Sequence, residues 1–386
     1  MSGARIYLDH AATTPLADDV LAAMQPYFAH DGYNPSSIHA EGRRARAAID
    51  SARERVAAIL HCKPKEIVFT ASGTEADNMA VIGAARAARA RGRHVIASAI
   101  EHHAVLHAVR ALRDEGFEVT LLPVDSNGVV DPSSFAQAIR ADTVVAAVMY
   151  ANNEIGTIQP IAQLSEIARS RGVVFLSDAV QAAGTLDIDV RALGVDALAI
   201  SAHKFYGPKG VGALYVRDGT PLEPLIHGGG QERGRRAGTE NVPGAVGMAK
   251  ALELADGARD AANARVAALR DRLEAKVKAA VPHVRINAQG VARLPGISSL
   301  AFAGVNAESL LIALDLAGVA ASGGSACAAG SLEASHVIAA LGDAASSGAT
   351  LRLSLGRGTT AEEIERVASL LPSLVASQCE GAALSV

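Results

Sequence analysis

The 386-residue chain has no tryptophan, and aromatic residues make up only 3% of it. That scarcity argues against a nucleic-acid platform built by stacking bases on aromatic rings. A cationic excess is also missing: 36 Lys and Arg stand against 40 Asp and Glu, a formal charge of −4. Bulk binding to phosphate backbones or anionic membrane surfaces needs the opposite balance. The three cysteines, Cys62, Cys327 and Cys379, are odd in number and far apart. They form no disulfide framework and no CxxC pair, which suits a reduced setting. No run approaches the ~18 apolar residues of a membrane span, and the first residues carry no signal-peptide pattern. A soluble, cytoplasmic protein is expected.

What is abundant is aliphatic: hydrophobic residues are 49% of the chain, enough for a large core assembled from Ala-rich helices. Short apolar runs alternate with helical segments. Glu66–Thr70, His94–Ser98, Phe117–Leu122, Thr143–Met149 and Val173–Ser177 read as strands, followed by Ala197–Ile200 and Val211–Val216. Helical patterns over 72–91, 101–115, 132–141 and 161–171 separate the early ones. Near-continuous apolar strands joined by helices imply an α/β fold with a mostly parallel sheet. After residue 240 the pattern changes to a long helical stretch, about 245–280, interrupted near Asp256-Gly257. Strand-like runs at 284–287, 298–302 and 350–354, with helices over 308–316 and 361–371, then describe an α+β module. The expected division is an extended N-terminal segment (1–16), a large domain (17–245) and a smaller C-terminal α+β domain (246–386) carrying the loop around Cys327.

Several positions could carry chemistry. Ser72-Gly73-Thr74-Glu75 sits between strand and helix, where exposed N–H groups either cap the helix or hold an anion. Asp178 ends a strand at the edge where α/β sheets bind ligands, with Gln181 three residues on. Lys204, in Ser201-Ala-His-Lys204, follows another strand end, where a lysine can form a Schiff base; Lys209, in a Pro/Gly turn, is its rival. A phosphate cradle, an acid and a lysine after successive strands are what a pyridoxal phosphate site requires. His102-His103, with His107 one turn after His103, could suggest a metal, but HxxxH puts only two imidazoles on one helical face, no third ligand is evident and no metal site is expected. A histidine opening a helix at a strand end can instead stack on a cofactor ring. The Gly-rich stretch Gly228–Thr239 could bring arginines, backbone and hydroxyl to an anion. Cys327, among small residues in Ser322–Gly330, is a candidate nucleophile. Arg352 suits an amino acid's carboxylate, with Arg357 as the weaker choice.

Taken in order along nearly the whole chain, these stretches resemble NifS/IscS-type cysteine desulfurases, pyridoxal phosphate enzymes of the class V aminotransferase group. The matching runs are Tyr7–Pro15, Asn34–His39, Thr70–Asn78, Glu101-His102, Asn152–Gly156, Asp178–Gln181, Ser201–Lys204, Tyr206–Gly210, His227–Asn241, Gly324–Cys327 and Arg352–Arg357. The resemblance implies the two-domain fold type I architecture, working as a homodimer. It implies that Lys204 carries the cofactor, Asp178 pairs with the pyridine nitrogen, Gln181 contacts the ring oxygen and His102 stacks on the ring. Gly73, Thr74, Ser201 and His203 would bind the phosphate, with Thr239 supplied by the other subunit. Asn153 would contact cofactor or substrate, and Arg352 the substrate carboxylate. Cys327 would take sulfur from L-cysteine, giving L-alanine and a persulfide for an acceptor protein, in iron–sulfur assembly or another thiolation. Ala202 stands where many relatives have Gly, and the tail is short. The alternative within the group is a selenocysteine lyase or an aminotransferase.

Overall fold

The computed structural model describes residues 5–323, 335–342 and 348–383. Cys327 lies outside the described residues, and so does the side chain of Cys379.

The chain opens with a two-residue strand, β1 (Ile6–Tyr7), then helices α1 (Asp18–Met24), α2 (Pro26–Ala29) and α3 (Ala40–Ile59). Repeating units follow: β2 (Ile67–Thr70), α4 (Gly73–Ala88), β3 (His94–Ser98), α5 (His103–Asp114), β4 (Glu118–Leu122) and α6 (Pro132–Ala138). They continue through β5 (Thr143–Ala147), α7 (Ile161–Ser170), β6 (Val174–Asp178), the short α8 (Val190–Leu193), β7 (Ala197–Ser201) and β8 (Gly212–Val216). The seven strands form one sheet in the order β2-β8-β7-β6-β5-β3-β4. Every pair from β7 to β4 is parallel, and only β8 runs against its neighbours. Strands β3, β5, β6, β7 and β8 are buried throughout, because helices cover both faces. The expected α/β sheet is therefore present, with its antiparallel edge as the exception.

Helix α9 (Val242–Ala280) runs 39 residues without a break, about 58 Å at 1.5 Å per residue. The interruption expected at Asp256-Gly257 does not occur. Gly257 faces open space, and one exposed helical glycine costs only about 1 kcal/mol, while apolar packing holds the helix at both ends. Val242, Val246 and Leu252 pack into the core beneath the sheet. Val266, Leu273 and Val277 pack into a separate core. That second core also takes β9 (Arg285–Ile286), β10 (Ile297–Ala303), α10 (Ala307–Leu316), β11 (Val319–Ala320), β12 (Gly348–Ser354) and α12 (Ala361–Ala383), with α11 (His336–Ala340) beside it. Strands β12, β10 and β9 make an antiparallel sheet in that order.

The N-terminal segment joins the two bodies. Strand β1 pairs in parallel with β11, Ile6 opposite Val319, and Asp9 bridges to Ser354. Five residues further, Thr14 N donates to the His203 carbonyl at 2.9 Å, beside the end of β7.

Candidate active site

The site lies where β3, β6 and β7 end and the N-terminal segment crosses them. Each strand hands over to a loop or helix start, so side chains there leave the apolar sheet with their heads free to converge. Asp178 is the last residue of β6 and Ser201 the last of β7. Ala202–Lys204 then make one 3-10 turn. His102 is the N-cap of α5, its Nδ1 accepting from Ala104 N at 3.1 Å. That bond leaves the ring proton on Nε2.

Lys204 Nζ donates to the carbonyls of Ala11 and Ala12, at 2.6 and 2.8 Å. Gln181 Nε2 donates to the same Ala11 carbonyl at 2.8 Å, so lysine and glutamine share one anchor. His203 Nδ1 lies 3.1 Å from Thr13 Oγ1. The segment Ala11–Thr14 is thus part of the site, a role that sequence reasoning did not assign to it.

Burial sets the protonation states. It pulls the His102 imidazole down to about 4, with the Lys204 charge adding to the effect. His203 falls to about 4 for the same two reasons, with Lys209 contributing last. Asp178 is pushed up to about 6 by burial, against the Val180 N–H it accepts and the Lys204 charge. Both histidines are therefore neutral at neutral pH, and Asp178 gains from any cation placed beside it.

The anion cradle is equally tight. Ser72 Oγ caps α4 by accepting from Glu75 N at 3.1 Å, and the earlier N–H groups of this 16-residue helix remain for a ligand. Gly73, the first residue of α4, has no room for a side chain: a Cβ there would come within 2.6 Å of Val180 Cγ2 and 3.2 Å of Ser201 Cβ. Thr74 beside it is exposed.

Arg352, on β12, is 1% exposed. Its Nη1 donates to the Asn153 carbonyl and its Nη2 to Asp9 Oδ1, both at 2.9 Å. Its Nε is buried without a partner, so donors remain for a carboxylate. Arg357 instead lies over the Tyr206 ring, 3.9 Å from its centroid.

Thr239 is exposed. Its loop is nevertheless fixed. Glu232 and Arg233 both adopt left-handed backbone angles, and the Glu232 carboxylate takes Arg53 Nη1 and Nη2 at 2.7 Å each and Phe69 N at 3.0 Å. Arg236 pairs with Glu75 at 2.8 Å, tying the loop to the first turn of α4.

His103 packs against His107 and His336, with ring centroids 5.2 and 4.8 Å apart. Among the described residues, no group of three His, Cys, Asp or Glu side chains is arranged to hold a metal. No described helix is long and apolar enough to cross a membrane.

A lysine, an acid at a strand end, a capping histidine and a glycine-tight helix start fit pyridoxal phosphate: Lys204 to carry it, Asp178 to face its ring nitrogen, and the start of α4 with Ser201 and His203 to receive its phosphate. The chain resembles known proteins along nearly its whole length. "Cysteine desulfurase IscS" of Dictyoglomus turgidum is 48% identical over 371 residues, 96% of this chain and 94% of that one. A solved NifS-like protein superimposes with a TM-score of 0.91 at 36% identity, over 97% of this chain and all of that one. SspA, solved in complex with cysteine, gives 0.81 at 36% identity, over 92% of this chain and 100% of its own. With the model of the "Aminotransferase class-V" family matching from residue 6 to 367, the chain belongs to that pyridoxal-phosphate-dependent family.

Proposed function

We propose that the chain is a cysteine desulfurase that moves sulfur from L-cysteine onto Cys327, leaving L-alanine. The observation that carries this reading is Lys204, held by the Ala11 and Ala12 carbonyls, with its charge bearing on both Asp178 and His102, and Arg352 held by Asp9 of the same segment, in a chain similar to cysteine desulfurases along nearly its whole length. Bound pyridoxal phosphate supplies the electron sink that loosens bonds around the substrate's α-carbon.

The chain's own groups do the rest. Arg352, steadied by Asp9 and the Asn153 carbonyl, takes the substrate carboxylate on its remaining donors. Asn153 contacts cofactor or substrate. Gln181, kept in place through the Ala11 carbonyl, would contact the cofactor's ring oxygen. His102, neutral and carrying its proton on Nε2, would stack on the cofactor ring and could handle protons without adding a charge. The Cys327 thiolate attacks the substrate sulfur. The sulfur–carbon bond breaks, its electron pair stays on carbon, and a proton completes alanine. The persulfide then passes to an acceptor protein, of iron–sulfur assembly or another thiolation route.

We further read the enzyme as a cytoplasmic homodimer in which Thr239 completes the partner's phosphate site, because Thr239 is exposed on a loop that the Glu232–Arg53 and Arg236–Glu75 pairs hold in place. The division into a large and a small body is placed along α9, whose two ends pack into different cores. Incubation with L-cysteine, with sulfide and alanine both measured in the presence and absence of a reductant, tests the function. Alanine without sulfur release, or transamination in its place, would favour an aminotransferase.

A further inference from the structure

Beneath Asp178 lies a second buried acid that the reaction described above does not use. Asp77, on the second turn of α4, is 4% exposed. It and Asp178 line the same small cavity between α4, α5 and strands β5 to β7, with walls of Ala80, Val81, Val105, Ala147, Leu176 and Ala199. That enclosure is otherwise almost wholly apolar, with a free volume of about 10 Å³, the scale of a single water. No side-chain cation or amide donor pairs with Asp77 among the described residues, and a bare carboxylate in such a place is strongly disfavoured.

Two carboxyl groups in one low-dielectric cavity cannot both ionise, so one holds a proton. The surroundings decide which. Asp178 accepts the Val180 N–H at 2.8 Å and feels the Lys204 charge. Asp77 has neither. From α4 itself, Glu75 is occupied with Arg236. Burial first, then the charge of Asp178, and last Glu101 from the loop after β3 raise Asp77 well above the usual carboxylate range. His102, at the start of α5, is neutral and contributes no compensating charge.

We propose that Asp77 is a positioning residue for Asp178: it stays a neutral acid and, across the cavity they share, donates a hydrogen bond that keeps Asp178 the single anion facing the ring nitrogen. This rests on the pyridoxal phosphate site described above. It goes beyond that site by giving the ring's counter-ion a dedicated donor on the opposite side of the sheet edge.

The test compares the parent with Asp77→Asn and Asp77→Leu. Infrared spectra of the cofactor-free protein at neutral pH should contain a protonated-carboxyl band that both variants lose, with the Glu101 band left in place. Asparagine keeps an N–H donor, so Asp77→Asn should hold pyridoxal phosphate within about threefold of the parent. Leucine removes the donor while remaining compatible with apolar walls; it should weaken cofactor binding about tenfold and move the pH midpoint of the bound cofactor's visible absorbance. An Asp77→Asn spectrum that keeps every acid band of the parent overturns the proposal. So does an Asp77→Leu protein matching the parent in affinity and absorbance titration, or an Asp77→Asn protein as impaired as Asp77→Leu. These readouts need only cofactor binding, so they stand or fall separately from sulfide release, on which the desulfurase reading depends.

Discussion

Arg352 and Asp9 meet across 343 positions of sequence, Nη2 donating to Oδ1 at 2.9 Å with the arginine side chain 1% exposed and the aspartate 20%. The pair fixes the direction of the guanidinium before any substrate arrives. Asp9→Ala should leave a buried cation with one fewer acceptor, costing about 2 kcal/mol of stability. Its kinetic signature should be a KM for L-cysteine raised about tenfold, with a smaller loss in kcat, because the disturbed group binds rather than reacts. Urea unfolding and steady-state kinetics check both; an unchanged KM would remove Arg352 from the substrate site.

Lys204 should be the residue that carries the cofactor. Borohydride treatment of the purified protein should fix pyridoxal phosphate on the peptide holding Lys204. Lys209, two residues past Gly207 and exposed, should stay unlabelled. Lys204→Ala should yield a protein without the visible absorbance of the parent.

The sulfur should pass through Cys327 alone. Cys327→Ala should bind cofactor and L-cysteine yet release almost no sulfur, a loss of about a thousandfold or more for a removed nucleophile. Cys62 is half-buried, and burial pushes its thiol up to about 12, so it stays protonated and unreactive at neutral pH. Cys62→Ala and Cys379→Ala should remain active, and mass spectrometry after substrate addition should place the persulfide on the Cys327 peptide. Sulfide release by Cys327→Ala, or a persulfide only on Cys379, would sink the assignment.

Much of this was legible before the fold. Continuous apolar runs announced the parallel strands, and Asp178 and Lys204 stood out because each ends such a run. Helix α3 was not read from the sequence. Its buried face, Ala45, Ile49, Ala52 and Val56, is half alanine and also carries Arg53, so its apolar stripe is faint. The unbroken course of α9 was hidden because local propensity at Gly257 is weaker than packing at the helix ends, and packing is invisible locally. Asp9 and Asp77 were missed as working groups for a related reason. Each acts through a partner brought from far along the chain, so the runs that contain them, Tyr7–Pro15 and Thr70–Asn78, do not single them out.

Glu101 provides a pH test. Its Oε1 accepts from Ser98 Oγ at 2.5 Å and Met149 N at 2.7 Å, while Oε2 is buried without a partner. Burial raises its carboxyl from 4.5 to about 8. A raised acid is favoured neutral in the fold, so its contribution is whole below pH 4.5 and is lost as pH rises through about 8. Glu101→Gln keeps the accepting oxygen and cannot ionise. Relative to the parent it should gain stability across that window, on the order of a few kcal/mol at the alkaline end. Urea unfolding at both ends measures the difference; parallel pH profiles would mean that Glu101 is ionised in the fold.

Thr239 should serve a neighbouring subunit. Mixing Thr239→Ala subunits with Lys204→Ala subunits gives dimers in which only one type of chain can carry the cofactor. Where an intact Lys204 faces a partner with intact Thr239, cofactor affinity should match the parent; where it faces Thr239→Ala, affinity should fall about tenfold, the worth of one hydrogen bond to a charged group. A fully active monomer at low concentration would refute the arrangement.

The parallel pairing of β1 with β11 has a consequence for how the protein is born. Ile6 leaves the ribosome early, but its partner Val319 is made 313 residues later, which at bacterial-to-eukaryotic synthesis rates of about 5–20 residues per second is a wait of about 15–60 s. Throughout that interval the sheet can assemble from its own neighbouring units, and Gln181, His203 and Lys204 can already hold Ala11, Ala12 and Thr14. Asp9, however, waits for Arg352, and the start of the chain waits for β11. The arginine side of the pocket therefore closes late, when the last fifth of the polypeptide emerges. A nascent chain stalled before residue 319 should hold a formed sheet and a seated lysine but no anchor for a substrate carboxylate.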